Sequence, residues 1–301
     1  MYRQFILFFI ILSLSACASN KDEKLEALLK KSKENMVFVK GGTFMMGDPE
    51  AFHNEEGKTP FEKWPIGSPE NRKKYPDAPW QSITGDKGNI PHKVTLSDYY
   101  ISKYEVTWEE FDAYYELTDR EVYEKGAKDF GTKIRKTKYP TWTPSWTEAK
   151  NYCKFLAKHS GLNYDLPTEA QWEYAARSRG KYVAYATNDG WAYIFDKTSS
   201  NWGDLSKNQN VAEKSSQVGS FPPNPLGIYD MTGNKSEWVN DWYSEDYFKN
   251  SPVKDPKGPK TGTLKVLRYS TSSDIQYMSV YGRYGEKITL DNQGFRCVLN
   301  P

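Results

Sequence analysis

The chain has 301 residues, enough for one large domain or two small ones, and a formal net charge of +2. That balance gives no electrostatic reason to expect nucleic acid or an acidic substrate as partner. Aromatic residues are abundant at 15%, with 22 Tyr and 10 Trp, while the 27% of charged residues is ordinary for a soluble protein.

The first residues, Met1-Tyr2-Arg3-Gln4, lead into the apolar run FILFFIILSLSA and then Cys17. A basic start, a short apolar stretch and a small residue before the break make residues 1–16 a secretory signal. The run is too short to span a bilayer comfortably. Leu14-Ser15-Ala16-Cys17 resembles a bacterial lipobox, which implies cleavage before Cys17 and a lipid on its thiol; a plain signal peptide with a chance Cys is the alternative. The polar stretch 17–35 then reads as a lipidated tether with some helical bias. Cys153 and Cys297 remain as an even pair in an exported chain. If bridged they close a long loop, contributing roughly 4–5 kcal/mol in the chain-entropy account. Two buried free thiols are the alternative.

The folded body is expected over 36–301. In MVFVKGGTFMMGD, Val37, Val39 and Phe44 suit one side of a hairpin around Gly41-Gly42. Pro49 to Ile90 is rich in Pro, Gly and charge without periodicity and reads as an irregular insertion. PHKVTLSDYYISKYEVT alternates as a strand does. Three helices announce their starts. TWEEFDAYYEL carries the capping-box pair Thr107 and Glu110. SWTEAKNYCKFLAKHSG opens with Ser145 and Glu148 and closes at Gly161, and PTEAQWEYAARSRG opens with Thr168 and Gln171 and closes at Gly180. From Asn201 onward short apolar islands alternate with Gly, Asn and Pro, and no helix of any length is expected. The sum is α+β with much irregular structure.

These blocks, with VGSFPPNPLGIYDMTGNKSEWVNDWY and NQGFRC, resemble successive motifs of the formylglycine-generating-enzyme (sulfatase-modifying-factor) family, in that family's order over nearly all of Met36 to Asn300. The resemblance implies a variant of the C-type-lectin fold. It also implies that Cys153 and Cys297 form a structural disulfide. The family's oxidase chemistry uses a cysteine pair in the last segment to hold copper, soft thiolates suiting Cu(I). Here the matching segment is Leu267-Arg268-Tyr269-Ser270-Thr271-Ser272, and no Cys follows before Cys297. The related iron branch needs a histidine cluster, and His53, His92 and His159 are scattered. The expectation is therefore a chain that is not an enzyme and requires no cofactor. The family also binds calcium, and the matching positions are Asp230, Gly233, Lys235 and Glu237, a carboxylate and carbonyl set suited to a hard cation. Ordinary capping and ion pairing by Asp230 and Glu237 is the alternative. A second family calcium site would start at Asn201 and Trp202, with no traceable ligands after it.

The stretch 269–292 stands where the family places its active-site floor. It is rich in Tyr, Ser, Thr, Gly and Asp, as antibody paratopes are. Adenine mutagenesis of Asn codons can reach every residue type between Tyr269 and Asn292 except Gln276, Met278, Glu286 and Lys287. The chain is thus similar to the variable lipoproteins of bacterial diversity-generating retroelements, the kind found in Treponema. The expected ligand-binding residues are Tyr269, Ser272, Ser273, Asp274, Ile275, Tyr277, Ser279, Tyr281, Tyr284, Thr289 and Asp291, exposed on one face, with Gly282 and Gly285 in the loops between them. Trp146, Trp172, Trp238, Trp242 and Phe295 should supply the rigid frame. This reading is a membrane-anchored, monomeric lipoprotein of the outer membrane or cell surface, meeting a protein or glycan ligand. The alternatives are a structural envelope or motility lipoprotein, an enzyme with an unrecognised site, and a degenerate loop in an inactive relative.

Overall fold

A computed structural model describes residues 20–48, 88–123, 137–183, 185–190, 215–268 and 278–301. Cys17, most of the 49–90 insertion and the Asn201-Trp202 pair lie outside the described residues. Within them the chain is helical over 20–34 (α1), then forms β1 (Met36–Val39), β2 (Gly42–Met46), β3 (His92–Leu96), β4 (Tyr99–Ser102) and helix α2 (Trp108–Leu117). Next come helix α3 (Trp146–Ser160), β5 (Asn163–Asp165), helix α4 (Glu169–Ala176), β6 (Glu237–Trp242), β7 (Lys265–Arg268), β8 (Arg283–Glu286) and β9 (Val298–Asn300). Three sheets result, in the orders β1-β4-β9-β5, β2-β3 and β6-β7-β8, all antiparallel. No helix among the described residues is long and apolar enough to cross a membrane.

The expected hairpin of Val37, Val39 and Phe44 does not form. β1 pairs with β4, Phe38 opposite Tyr100, while β2 pairs with β3, Phe44 opposite Val94. The alternating run that reads as one strand breaks at Ser97-Asp98 into β3 and β4, and each half takes one of the two early strands. The crossing point is tight. The Gly41 N–H donates to Asp98 Oδ1 at 2.7 Å, and a Cβ on Gly41 would stand 2.2 Å from the Leu96 carbonyl oxygen. Only glycine permits that approach.

The tether reading is corrected over 20–34. Leu25, Leu28, Leu29 and Ser32 fall on one helical stripe. Leu28 and Ser32 are buried, and Leu28 joins the core of α2 and α3. Lys21, Lys24 and Lys31 pair with Asp119, Glu116 and Glu109 of α2 and its end. These exposed pairs each contribute little. Burial of leucine is what makes the segment part of the body.

The helix ends follow local chemistry. Thr107 and Glu110 form the capping box of α2, and Thr168 and Gln171 that of α4. Ser145 Oγ accepts from the Glu148 N–H at 3.2 Å, and Gly161 closes α3 at φ 71°. Helix α4 stops at Ala176, short of Gly180, because Ser178 and Arg179 already take positive φ. The only helix among the described residues after Asn201 is a 3₁₀ turn, Tyr247–Asn250.

Two cores lie side by side. One gathers β1 to β4, α4 and β7 around Trp172; the other gathers α1, α2 and α3 around Phe111 and Phe295. A disulfide between Cys153 of α3 and Cys297 before β9 crosses the second core, with Cα atoms 5.8 Å apart.

Candidate functional site

Helix α4 places Glu169, Glu173 and Arg177 four residues apart, so all three project along one line. In water such a line would be a solvated face; here all three are buried. Arg268 of β7 reaches Glu169 at 3.0 Å and Glu173 at 3.2 Å, Arg283 of β8 reaches Glu169 at 2.7 Å, and Arg177 reaches Glu173 at 2.8 Å. Burial pushes the Glu169 carboxyl up, but Arg283 and Arg268 outweigh it and hold it below the ordinary glutamate value. Arg268 also donates to the Val280 carbonyl, and Asn89 Nδ2 donates to the Tyr281 carbonyl at 2.7 Å.

Those two bonds decide where the last segment points. They draw its backbone onto the charged frame at 280–281, so Met278, Ser279, Val280 and Tyr281 turn inward. Ser279 and Tyr281 are therefore corrected as exposed ligand-binding positions, since both are buried; Gly282, buried as well, lies outside the strands just before β8, in a loop as expected. Among the described residues the Tyr281 hydroxyl and Ser279 Oγ have no hydrogen-bond partner. Gly285, by contrast, is not in a loop. It lies in β8 opposite Val266, and a Cβ on it would stand 2.5 Å from the Tyr243 ring. Beyond Arg283 the chain emerges. Tyr284 is half-buried, and Lys287, Ile288, Thr289, Asp291 and Asn292 are exposed. Tyr269, Ser272, Ser273, Asp274, Ile275 and Tyr277 lie outside the described residues.

An aromatic edge borders this emerging stretch. Trp146 and Trp242 stack at 6.5 Å, and the Lys265 ammonium sits 3.9 and 3.8 Å from their ring centres. The Trp146 N–H donates to the Ile288 carbonyl at 3.0 Å and its indole N–H to the Val239 carbonyl at 2.8 Å. Burial lowers Lys265 to about 8, against the opposing pull of Asp241, and burial together with Glu169 raises Asp241 to about 8. Of the expected frame, Trp172, Trp238 and Phe295 are fully buried, while Trp146 and Trp242 are half-buried and form this edge. Lys265 escapes a motif reading, since a lysine opening a strand looks like solvent-facing charge.

The expected calcium set does not assemble as a cation site. Both Glu237 oxygens are taken by Arg296, the shortest contact 2.6 Å, and one also accepts from the Trp172 indole N–H at 2.9 Å. Asp230 Oδ2 accepts from the Gly219 N–H at 2.7 Å, and burial raises its carboxyl to about 6. Lys235 donates to Asn292 Oδ1 at 2.8 Å over the Trp142 ring, and burial lowers it to about 8. Gly233 contributes a turn at φ 85°. With Arg296 on Glu237 and Lys235 alongside, cationic charge is already supplied, so these residues do not fit a calcium ion. No group of three or more His, Cys, Asp or Glu among the described residues could hold a metal. Glu105 is the neighbour that motif reading misses. It is fully buried, accepts from Asn234 Nδ2 at 2.6 Å, and is pushed well up by burial and by Glu237 and Asp230.

The profile of the family described as "Sulfatase-modifying factor enzyme 1-like domain" matches residues 21–301. A Serine/threonine-protein kinase pkn1 of Chlamydia pneumoniae is 28% identical over 239 residues, 73% of this chain and 36% of its own length. A Formylglycine-generating enzyme of Streptomyces coelicolor is 35% identical over 171 residues, 53% of this chain and 52% of its own length. The chain thus spans about a third to a half of the length of these relatives. Treponema denticola variable protein 1 superposes with a TM-score of 0.60 at 21% identity, over 88% of this chain and 95% of that one; the likeness bears on fold alone. The α+β, C-type-lectin-like architecture expected from the motifs is the one observed. The expectation of a non-enzyme is corrected. Relatives named formylglycine-generating enzyme recur among the matches, and membership among them gives no ground for excluding catalysis.

Proposed function

Because the chain belongs to the family of Sulfatase-modifying factor enzyme 1-like domains, we propose that it is a surface lipoprotein whose domain presents a diversified ligand-binding face, built from the segment between β7 and β9. A lipid on Cys17 anchors it to the membrane, and a protein or glycan is the ligand. One observation carries the reading. β7 and β8 are pinned from beneath by Arg268 and Arg283 to Glu169 and Glu173, while the chain beyond Arg283 turns outward. A face anchored by buried ions at its root can change its outer side chains without changing its anchor. The solved relative bearing the words "variable protein" is of the same fold.

The test is genomic and direct. A near-copy of the codons for 266–297 should lie beside a reverse-transcriptase gene and differ from them only at adenines. Absence of any such copy, with invariant codons across isolates of the source organism, sinks the diversified face and leaves the structural envelope lipoprotein standing. Metabolic labelling with palmitate tests the anchor: the parent should take up label and Cys17→Ser should not.

A further inference from the structure

We infer that a polar cleft beside β5, apart from this face, is a second binding site, for a neutral polyhydroxylated ligand such as a short saccharide. The cleft has a volume of about 640 Å³, within the usual ~300–1,000 Å³ of small-ligand sites. It is walled by the β3–β4 turn, β5, the start of α4, residues 255–257 and the end of β9, and no residue of 278–292 lines it. Leu96 and Leu166 are buried in its floor.

The donor and acceptor balance of the walls selects the ligand. The acceptors are mostly taken. Asp165 holds Lys150 and Lys154, and Asp255 holds the Ser97 N–H and hydroxyl at 2.7 and 2.8 Å. Asn240 Oδ1 accepts from Lys150 at 2.8 Å, and Asn300 Oδ1 accepts from Gln171 Nε2 at 2.8 Å. Those bonds fix the two carboxamides so that each Nδ2 is left without a hydrogen bond among the described residues. Asn163 opposite Asn300 in the ladder adds a third carboxamide, exposed. Asp98 uses one oxygen on the Gly41 N–H and keeps the other. Two oriented N–H₂ groups, the exposed Asn163 carboxamide and the Asp98 oxygen that no described residue is seen to use suit a ligand that is rich in acceptors and still offers a proton, which describes vicinal hydroxyls. Charge does not argue for an ion. Asp98, Asp165 and Asp255 are offset by the lysines at 150, 154, 254 and 257.

The experiment titrates the full chain with glucose, galactose, N-acetylglucosamine and their disaccharides, read by ¹⁵N amide shifts. At least one should move resonances of 163–171 and 298–300 and leave 284–292 still. Asn240→Asp and Asn300→Asp keep the oxygens that Lys150 and Gln171 need and turn each free donor into a charged acceptor, a change for which Asn163→Ala is the uncharged counterpart. Each should weaken binding about fivefold or more, as loss of one hydrogen bond does, with an unchanged fold by the same spectra. Asn163→Ala, at an exposed position, should do likewise. No shift with any neutral sugar overturns the inference. So does equal binding by the variants, and so does binding of glucuronate or inorganic phosphate in place of the neutral sugars.

Discussion

Strands β8 and β9 follow one another in the chain and are held by different physics. β9 has a neighbour on each side, β4 and β5, and the residues leading into it sit in an aromatic core. There Phe295 meets Tyr152 at 5.4 Å and Phe111 at 6.1 Å, and Cys297 is tied to α3. Among the described residues β8 is an edge strand paired with β7, and its anchor is Arg283 on Glu169. Apolar contact is non-directional and tolerates small shifts of shape. An ion pair with hydrogen bonds specifies position, and it is costly to break because a lone buried charge remains. The difference teaches how this fold can leave one margin changeable. The margin is fixed at its root by charge, and beyond it by a few contacts such as the Trp146 N–H to the Ile288 carbonyl and Leu290 on the second core, which leaves Thr289 and Asp291 exposed.

The sharpest way to break the contrast is at Glu169. Glu169→Ala leaves Arg268 short of one partner and Arg283 without its bidentate carboxylate. The expected loss is about 3–5 kcal/mol, read as the shift in a urea unfolding midpoint at constant m. A change below 1 kcal/mol would mean that the frame is not what holds β8. On the β9 side, the double variant Cys153→Ser and Cys297→Ser should cost about 2–4 kcal/mol, with the ladder to β4 and β5 kept. Non-reducing peptide mapping should find the two cysteines linked in the parent.

Next in size is the N-terminal helix, which belongs to the apolar side of the comparison. Leu28→Ala should cost roughly 2–3 kcal/mol through the cavity left beside α2 and α3. Lys24→Ala, which breaks only an exposed pair, should cost well under 1 kcal/mol. Equal small effects would return residues 20–34 to the status of a tether.

The parts legible in the sequence are those with local causes. The caps at Thr107, Ser145, Thr168 and Gly161 follow from side chains reaching backbone a few residues away. Even there Glu148 departs: its carboxylate goes to Arg120 at 2.7 Å and not back to Ser145. The parts not legible have distant causes. The alternation slips by one residue at Ser97-Asp98, from Val94 and Leu96 to Tyr99 and Ile101, but that slip does not say that the halves join two sheets until Gly41 and Asp255 dock there. Composition places Ser279 and Tyr281 on the surface, and Arg268 and Asn89 take them inside. The helix over 20–34 was written in its leucine spacing, but the run of charges around it masked the stripe.

A smaller effect separates the two regions by pH. Asp230 lies beside Arg296 and Glu237, and its folded carboxyl stands at about 6 against 3.8 when free. Below about pH 4 both states are protonated and there is no penalty. Between about 4 and 6 the unfolded chain ionises first, so native stability falls; above 6 the loss is complete and constant. Asn at this position keeps an acceptor for the Gly219 N–H and tolerates the φ of 59°. Asp230→Asn should therefore gain on the parent by on the order of 1 kcal/mol between pH 4 and pH 7. A variant with the same relative stability at both values would show that the Asp230 carboxyl is not raised.

The smallest expected effect lies on the outer margin, and it bears most directly on function. Tyr284 is half-buried, and Thr289 and Asp291 are exposed. If this margin is free to vary, each of Tyr284→Ser, Thr289→Ala and Asp291→Ala should stay within about 0.5 kcal/mol of the parent, as ordinary surface changes do. Tyr281→Phe belongs with them for a different reason. Its hydroxyl has no partner among the described residues, so removing it leaves packing intact and breaks no bond there. Tyr281→Ser is the control in the opposite sense, since it empties a buried ring volume beside Arg177 and should cost about 3 kcal/mol or more. Thermal melts of these five proteins settle where the changeable surface begins. A collapse on changing Thr289 or Asp291 would move that border out beyond β8 and remove the physical basis of a diversified face there.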